Sequence, residues 1–200
     1  MAKLIYLSPS NHGTGANKCK KSGCYEDKHT RPIAEVCARH LKNNGFDVVI
    51  AKTTQSMAAR CSESDSKKAV LHVPIHTNAF SNESARYLMF MFYRDNDAYH
   101  KIFNAVAPYV EEVYPGKLKA KFAKRTDLYE INAPSAKSMY CELGFPPIRK
   151  IATNLSTIPR WWERLWLRVY AITSVLNLKK KEAQALQEEV RQAPAVHHQR

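Results

Sequence analysis

Four residues of this chain have the types and placements for hydrolytic metal chemistry. They are His12 in "SPSNHG" (8–13), Glu26 in "CYEDKH" (24–29), His76 in "PIHTNA" (74–79) and Glu142 in "YCELGF" (140–145). Two histidines and one carboxylate make a zinc site that leaves a coordination position for water. A further carboxylate beside such a site serves as general base. Each residue also has an ordinary reading. His12 suits a polar turn, Glu26 suits a helix start favoured by the macrodipole, and His76 suits a strand end near the surface. Glu142 is harder to explain that way. It stands between Cys141 and Leu143 in an apolar run, where a carboxylate is costly unless paired or bound to a cation.

These residues meet only if the elements around them place them together. Short apolar runs predict strands over 3–8, 46–51, 70–76, 86–93, 127–131 and 138–143. Pro74 argues for an end or edge position of the third strand. Apolar residues recurring at helical spacing predict helices over 27–44, 57–69, 97–114 and 158–178. Ile33, Cys37 and Leu41 line the first of these, and Gly45 is its natural stop. Strands alternating with helices predict an α/β domain: a twisted, mostly parallel sheet flanked by helices, with a long C-terminal helix. Ligands of open α/β sheets bind at the carboxyl ends of the strands. His12 follows the first strand, His76 ends the third, Glu142 ends the last and Glu26 precedes the first long helix. All four therefore belong to one rim.

Residues 1–178 read as one catalytic domain, and 179–200 as a basic, polar tail, helical or disordered. The chain is short enough for a single domain at 200 residues. No apolar stretch has the length of a membrane span. The first residues carry an apolar run too brief for a signal peptide, so synthesis in the cytoplasm is expected. The net charge of +13 points to an anionic partner. No recognisable nucleic-acid module accompanies it, so nucleic acid is not the expected partner. Five cysteines cannot all pair within one chain. Cys37 and Cys141 fall on apolar faces as free thiols. Cys19 and Cys24 have the spacing of half a zinc knuckle, but no second pair completes it.

The order "LSPSNHG…YEDK…LHVPIHTNA…YCELGF" resembles the zinc-dependent N-acetylmuramoyl-L-alanine amidases of the amidase 3 family, peptidoglycan hydrolases. The "LSPSN" start and "PIHTNAF" segment are similar to phage and prophage endolysins of Gram-positive bacteria. The resemblance covers about residues 3 to 175. It implies one zinc ion per chain, held by His12, Glu26 and His76, with Glu142 as the catalytic glutamate. Many members carry a glycine-richer loop at the first ligand, and this chain offers His12 there. Thr77 and Asn78 adjoin a ligand, where they orient it or the substrate, or simply turn the chain. The implied reaction is metal-assisted hydrolysis of the amide between N-acetylmuramic acid and L-alanine. Peptidoglycan and anionic wall polymers are the implied partners, reached by phage-type release or outside the cell. Two alternatives stay open on sequence: a zinc peptidase cutting within the stem peptide, and a basic nucleic-acid-binding protein or metal nuclease.

Overall fold

The structure of the chain, a computed structural model, describes residues 2–11, 25–77, 88–113 and 119–143. Its elements in chain order are β1 (Leu4–Pro9), α1 (Asp27–Asn43), β2 (Asp47–Ile50), α2 (Met57–Ser66), β3 (Leu71–His76), β4 (Leu88–Phe92), α3 (Asp97–Val113), β5 (Ala120–Lys124), α4 (Tyr129–Asn132), β6 (Lys137–Ser138) and β7 (Tyr140–Glu142). The strands form one sheet in the order β2-β1-β3-β7-β4-β5, with β6 also beside β3. All pairings are parallel except β4 against β7. The expected mostly parallel α/β sheet is what the chain adopts. The expected helix over 158–178 and the tail over 179–200 lie outside the described residues.

Side chains alternate across a strand, and here the two faces differ in chemistry. Ile5 and Leu7 of β1 and Leu71, Val73 and Ile75 of β3 enter the main apolar core. Ile33, Ala34, Cys37 and Leu41 of α1 join that core, as do Ile102, Val106 and Val110 of α3. The four-residue recurrence in α1 thus buries one face, and Gly45 ends the helix at φ +81°, a left-handed conformation that glycine adopts without strain. On the other face, Tyr6, Ser8, His72 and His76 are all buried. Buried polar groups in such numbers require partners, and that polar face leads to the site.

Three sequence expectations are corrected. Pro74 does not mark an edge, because β3 is paired on both sides. Leu71 pairs with Lys137 and Ile75 with Cys141, so one register runs past the gap between β6 and β7. The carbonyls of His72 and His76 accept from Met139 and Leu143. Alternate residues of a parallel strand bond to the same side, so Pro74 faces that neighbour too. Lacking an N–H, it interrupts the ladder there, which splits the expected strand 138–143 in two. The expected strand over 127–131 is instead the single helical turn α4. Glu130 and Ile131 are both buried. Beyond these three, β5 is a strand not expected from the sequence, in a lysine-rich run. Phe122 is its packing residue, stacked on Phe92 with ring centroids 4.9 Å apart.

Candidate active site

Glu26 has helical backbone angles just before α1, yet its side chain makes no capping hydrogen bond. It turns inward and is 2% exposed. Oε1 accepts the Thr77 backbone N–H at 2.7 Å, and Oε2 accepts the Ser10 hydroxyl at 2.9 Å. Oε1 also lies 3.1 Å from His76 Nδ1. A helix-start acid serving only the macrodipole would face solvent. Two well-formed hydrogen bonds here fix a buried carboxylate against a histidine at the end of a central strand.

His76 and Glu142 are direct partners in the β3–β7 ladder. Side chains at paired positions of a parallel ladder project to the same face, so Glu142 stands beside the imidazole. The His76 ring is buried and stacks on Tyr140 at 4.6 Å between centroids, with 16° between the planes. Glu142 Oε2 is buried and has no hydrogen-bond partner among the described residues. Burial pushes the Glu142 carboxyl up from 4.5 to about 7; His76 opposes the rise and the nearby Glu26 charge adds to it. A buried carboxylate oxygen without a partner among the described residues, beside a histidine and a second carboxylate, marks a candidate functional group.

That shift has a consequence for the metal-free protein. A carboxyl raised in the folded state favours folding while it is protonated. The contribution is complete below the unfolded value and is lost as pH rises from about 4.5 to about 7. Glu142→Gln removes this loss. Between pH 4 and pH 8, wild type should lose on the order of 2 kcal/mol relative to the variant, after allowing for the partial exposure of Glu142. Urea unfolding of both proteins in chelator, at both pH values, measures the difference. An unchanged gap would mean that Glu142 is not held in this environment.

The structure therefore brings together Glu26, His76, Thr77 and Glu142 of the residues expected from sequence. Thr77 takes part through its backbone N–H. His12 and Asn78 lie outside the described residues. Among the described residues no three His, Cys, Asp or Glu side chains group as a metal site. The pair that is present fits one ion: two donors bound at about 2.0–2.1 Å to a tetrahedral zinc stand roughly 3.3 Å apart, close to the 3.1 Å between Glu26 Oε1 and His76 Nδ1. Sequence reasoning missed Ser10 and Tyr140. Ser10 sits one residue beyond a strand, and Tyr140 two residues before Glu142 on the same strand face, which is the one signal that could have singled it out.

Comparison with known proteins bears on the family and the fold. The profile of the N-acetylmuramoyl-L-alanine amidase family matches residues 5–156. No curated protein sequence matches the chain. Among solved structures, the N-acetylmuramoyl-L-alanine amidase AmiC2 of Nostoc punctiforme superposes with a TM-score of 0.69 at 19% identity, over 87% of this chain and 97% of that one. The catalytic domain of CwlV, an N-acetylmuramoyl-L-alanine amidase from Bacillus (Paenibacillus) polymyxa var. colistinus, gives 0.69 at 18% identity, over 88% and 99%. The catalytic domain of the CD27L endolysin targeting Clostridia difficile gives 0.60 at 17% identity, over 88% and 99%. At these identities the likeness is one of fold; the profile match, spanning most of the chain and all four candidate residues, carries the assignment. The chain belongs to the N-acetylmuramoyl-L-alanine amidase family.

Proposed function

We propose that this protein is a peptidoglycan hydrolase that cleaves the amide between N-acetylmuramic acid and L-alanine, with zinc held by His12, Glu26 and His76 and with Glu142 moving the proton. The observation that carries this reading is the convergence of Glu26, His76 and the orphaned Glu142 carboxylate at the carboxyl ends of β3 and β7, in a chain of the amidase family. A bound zinc would supply Lewis acidity, making water acidic enough to deprotonate near neutral pH and polarising the scissile carbonyl.

The chain's own residues do the rest. Glu142 takes a proton from water as its oxygen adds to the lactyl carbonyl carbon. The carbon–nitrogen bond then breaks, and Glu142 returns the proton to the departing nitrogen of L-alanine. The products are a lactyl carboxyl and a free amine. A buried carboxylate with an oxygen free of partners among the described residues, beside His76 in the ladder, is placed to take and return that proton. Thr77 and Ser10 hold the Glu26 carboxylate, and Tyr140 holds the His76 ring by stacking.

Digesting purified peptidoglycan and reading the fragments by mass spectrometry tests the reaction. A new amino terminus on L-alanine is expected. A new amine within the stem peptide would replace this reading by the zinc peptidase alternative.

The charge of +13 supports a second element of the proposal, attraction to the anionic polymers of a bacterial wall. Lysis of whole walls should then fall as salt shortens the Debye length from about 10 Å towards 3 Å. Hydrolysis of a small soluble muropeptide should change far less. Equal salt sensitivity for both substrates would contradict charge-based targeting.

A further inference from the structure

On the polar face of the sheet, one side chain has no role in the chemistry above. Arg60 of α2 is 1% exposed. Its Nη1 donates to Ser8 Oγ at 3.0 Å and to the Pro9 carbonyl at 2.8 Å, and Nη2 donates to the Lys52 carbonyl at 3.2 Å. Ser8 donates its own hydroxyl proton to Glu130, which also meets His72 Nε2 at 3.2 Å. The buried guanidinium thus has a counter-charge, Glu130, one hydroxyl away. Taking a guanidinium out of water is costly even when it is paired. Two of its three bonds hold the last two residues of β1, Ser8 and Pro9, where the chain turns towards the site, and the third ties them to Lys52 just after β2.

The next residue is Ser10, which continues from that clamped end of β1 and is held by three hydrogen bonds of its own. Its N–H donates to the Ile75 carbonyl at 2.9 Å, and its carbonyl accepts the Thr30 hydroxyl at 3.1 Å. Its own hydroxyl donates to Glu26 Oε2 at 2.9 Å. With Thr77 N–H on Oε1, both carboxylate oxygens are held, and rotation about the last torsion of Glu26 is blocked. We propose that Ser10 and Arg60 are positioning residues: the buried Arg60 clamp on the end of β1 sets the Ser10 hydroxyl, which fixes the Glu26 carboxylate so that Oε1 faces His76.

This proposal rests on the reading of Glu26 and His76 as metal ligands. Groups that orient a ligand typically contribute about 10- to 100-fold to metal affinity. Ser10→Ala removes one hydroxyl with little change of volume. Zinc affinity, read by competition with a chromophoric chelator, should fall about 10- to 100-fold in this variant, while the metal-free protein stays folded and melts somewhat lower for the hydrogen bond lost to a buried carboxylate. Arg60→Lys keeps the charge but cannot form the same fork, and should also weaken zinc binding. Because Arg60 acts through Ser10, adding Arg60→Lys to Ser10→Ala should weaken it little further.

Equal zinc affinity in wild type and Ser10→Ala would overturn the proposal while leaving the metal site intact. Independent, multiplying losses in the double variant would overturn the route from Arg60 through Ser10. Wild type that binds no zinc at all would instead remove the site reading on which the proposal stands. Ser10→Ala alone decides the first point even if Arg60→Lys does not fold.

Discussion

Glu142→Gln should cleave peptidoglycan at least about 100-fold more slowly than wild type, the low end of what a general acid–base group contributes. The amide keeps the size and shape of the carboxylate but cannot take a proton. Glu142 Oε2 has no partner among the described residues, so the substitution breaks no hydrogen bond seen at that oxygen. The variant should therefore fold, retain its metal and still sediment with insoluble peptidoglycan. Rates on a soluble muropeptide, with sedimentation as the binding control, measure both parts. Near-normal cleavage would mean that another group moves the proton.

His76→Ala should produce a comparable or larger loss of activity by a different route. The imidazole is buried beside Glu26 Oε1 and packed on Tyr140, so its removal takes away a donor and opens a gap. On the proposed set of three protein ligands this variant keeps two, so zinc should be poorly held and activity should fall to near background at ordinary metal concentrations. Excess zinc should restore part of it if the remaining donors still bind weakly. Full metal content in this variant would show that His76 is not a ligand, whatever happens to the rate. The two substitutions thus separate chemistry from binding.

The parts of the fold that were readable from sequence are those where one local pattern dominates. The stripe of Ile33, Cys37 and Leu41 ended by Gly45 has a single solution, and α1 matches it to within a residue. The strand ends carrying His76 and Glu142 were readable for the same reason, and their pairing follows once β3 and β7 are neighbours. Long-range geometry accounts for the failures. Pro74 looks like an edge residue to any local rule, and only the β6–β7 break shows how a central strand accommodates it. The run at 127–131 fits a strand or a turn of helix equally well. The contacts of Glu130 with Ser8 and His72, far away in sequence, accompany the helical turn. Ser10 and Arg60 could not be recognised in advance, because what distinguishes them is their set of partners and not their residue type.

The division of labour between the two glutamates is best tested by the metal content of three purified proteins measured side by side. Wild type should carry about one equivalent of zinc, Glu26→Ala should lose most of it, and Glu142→Gln should keep it while losing activity. The opposite pattern, with Glu142→Gln emptied and Glu26→Ala still loaded, would make Glu142 the ligand and contradict the assignment of Glu26 as ligand and Glu142 as proton carrier.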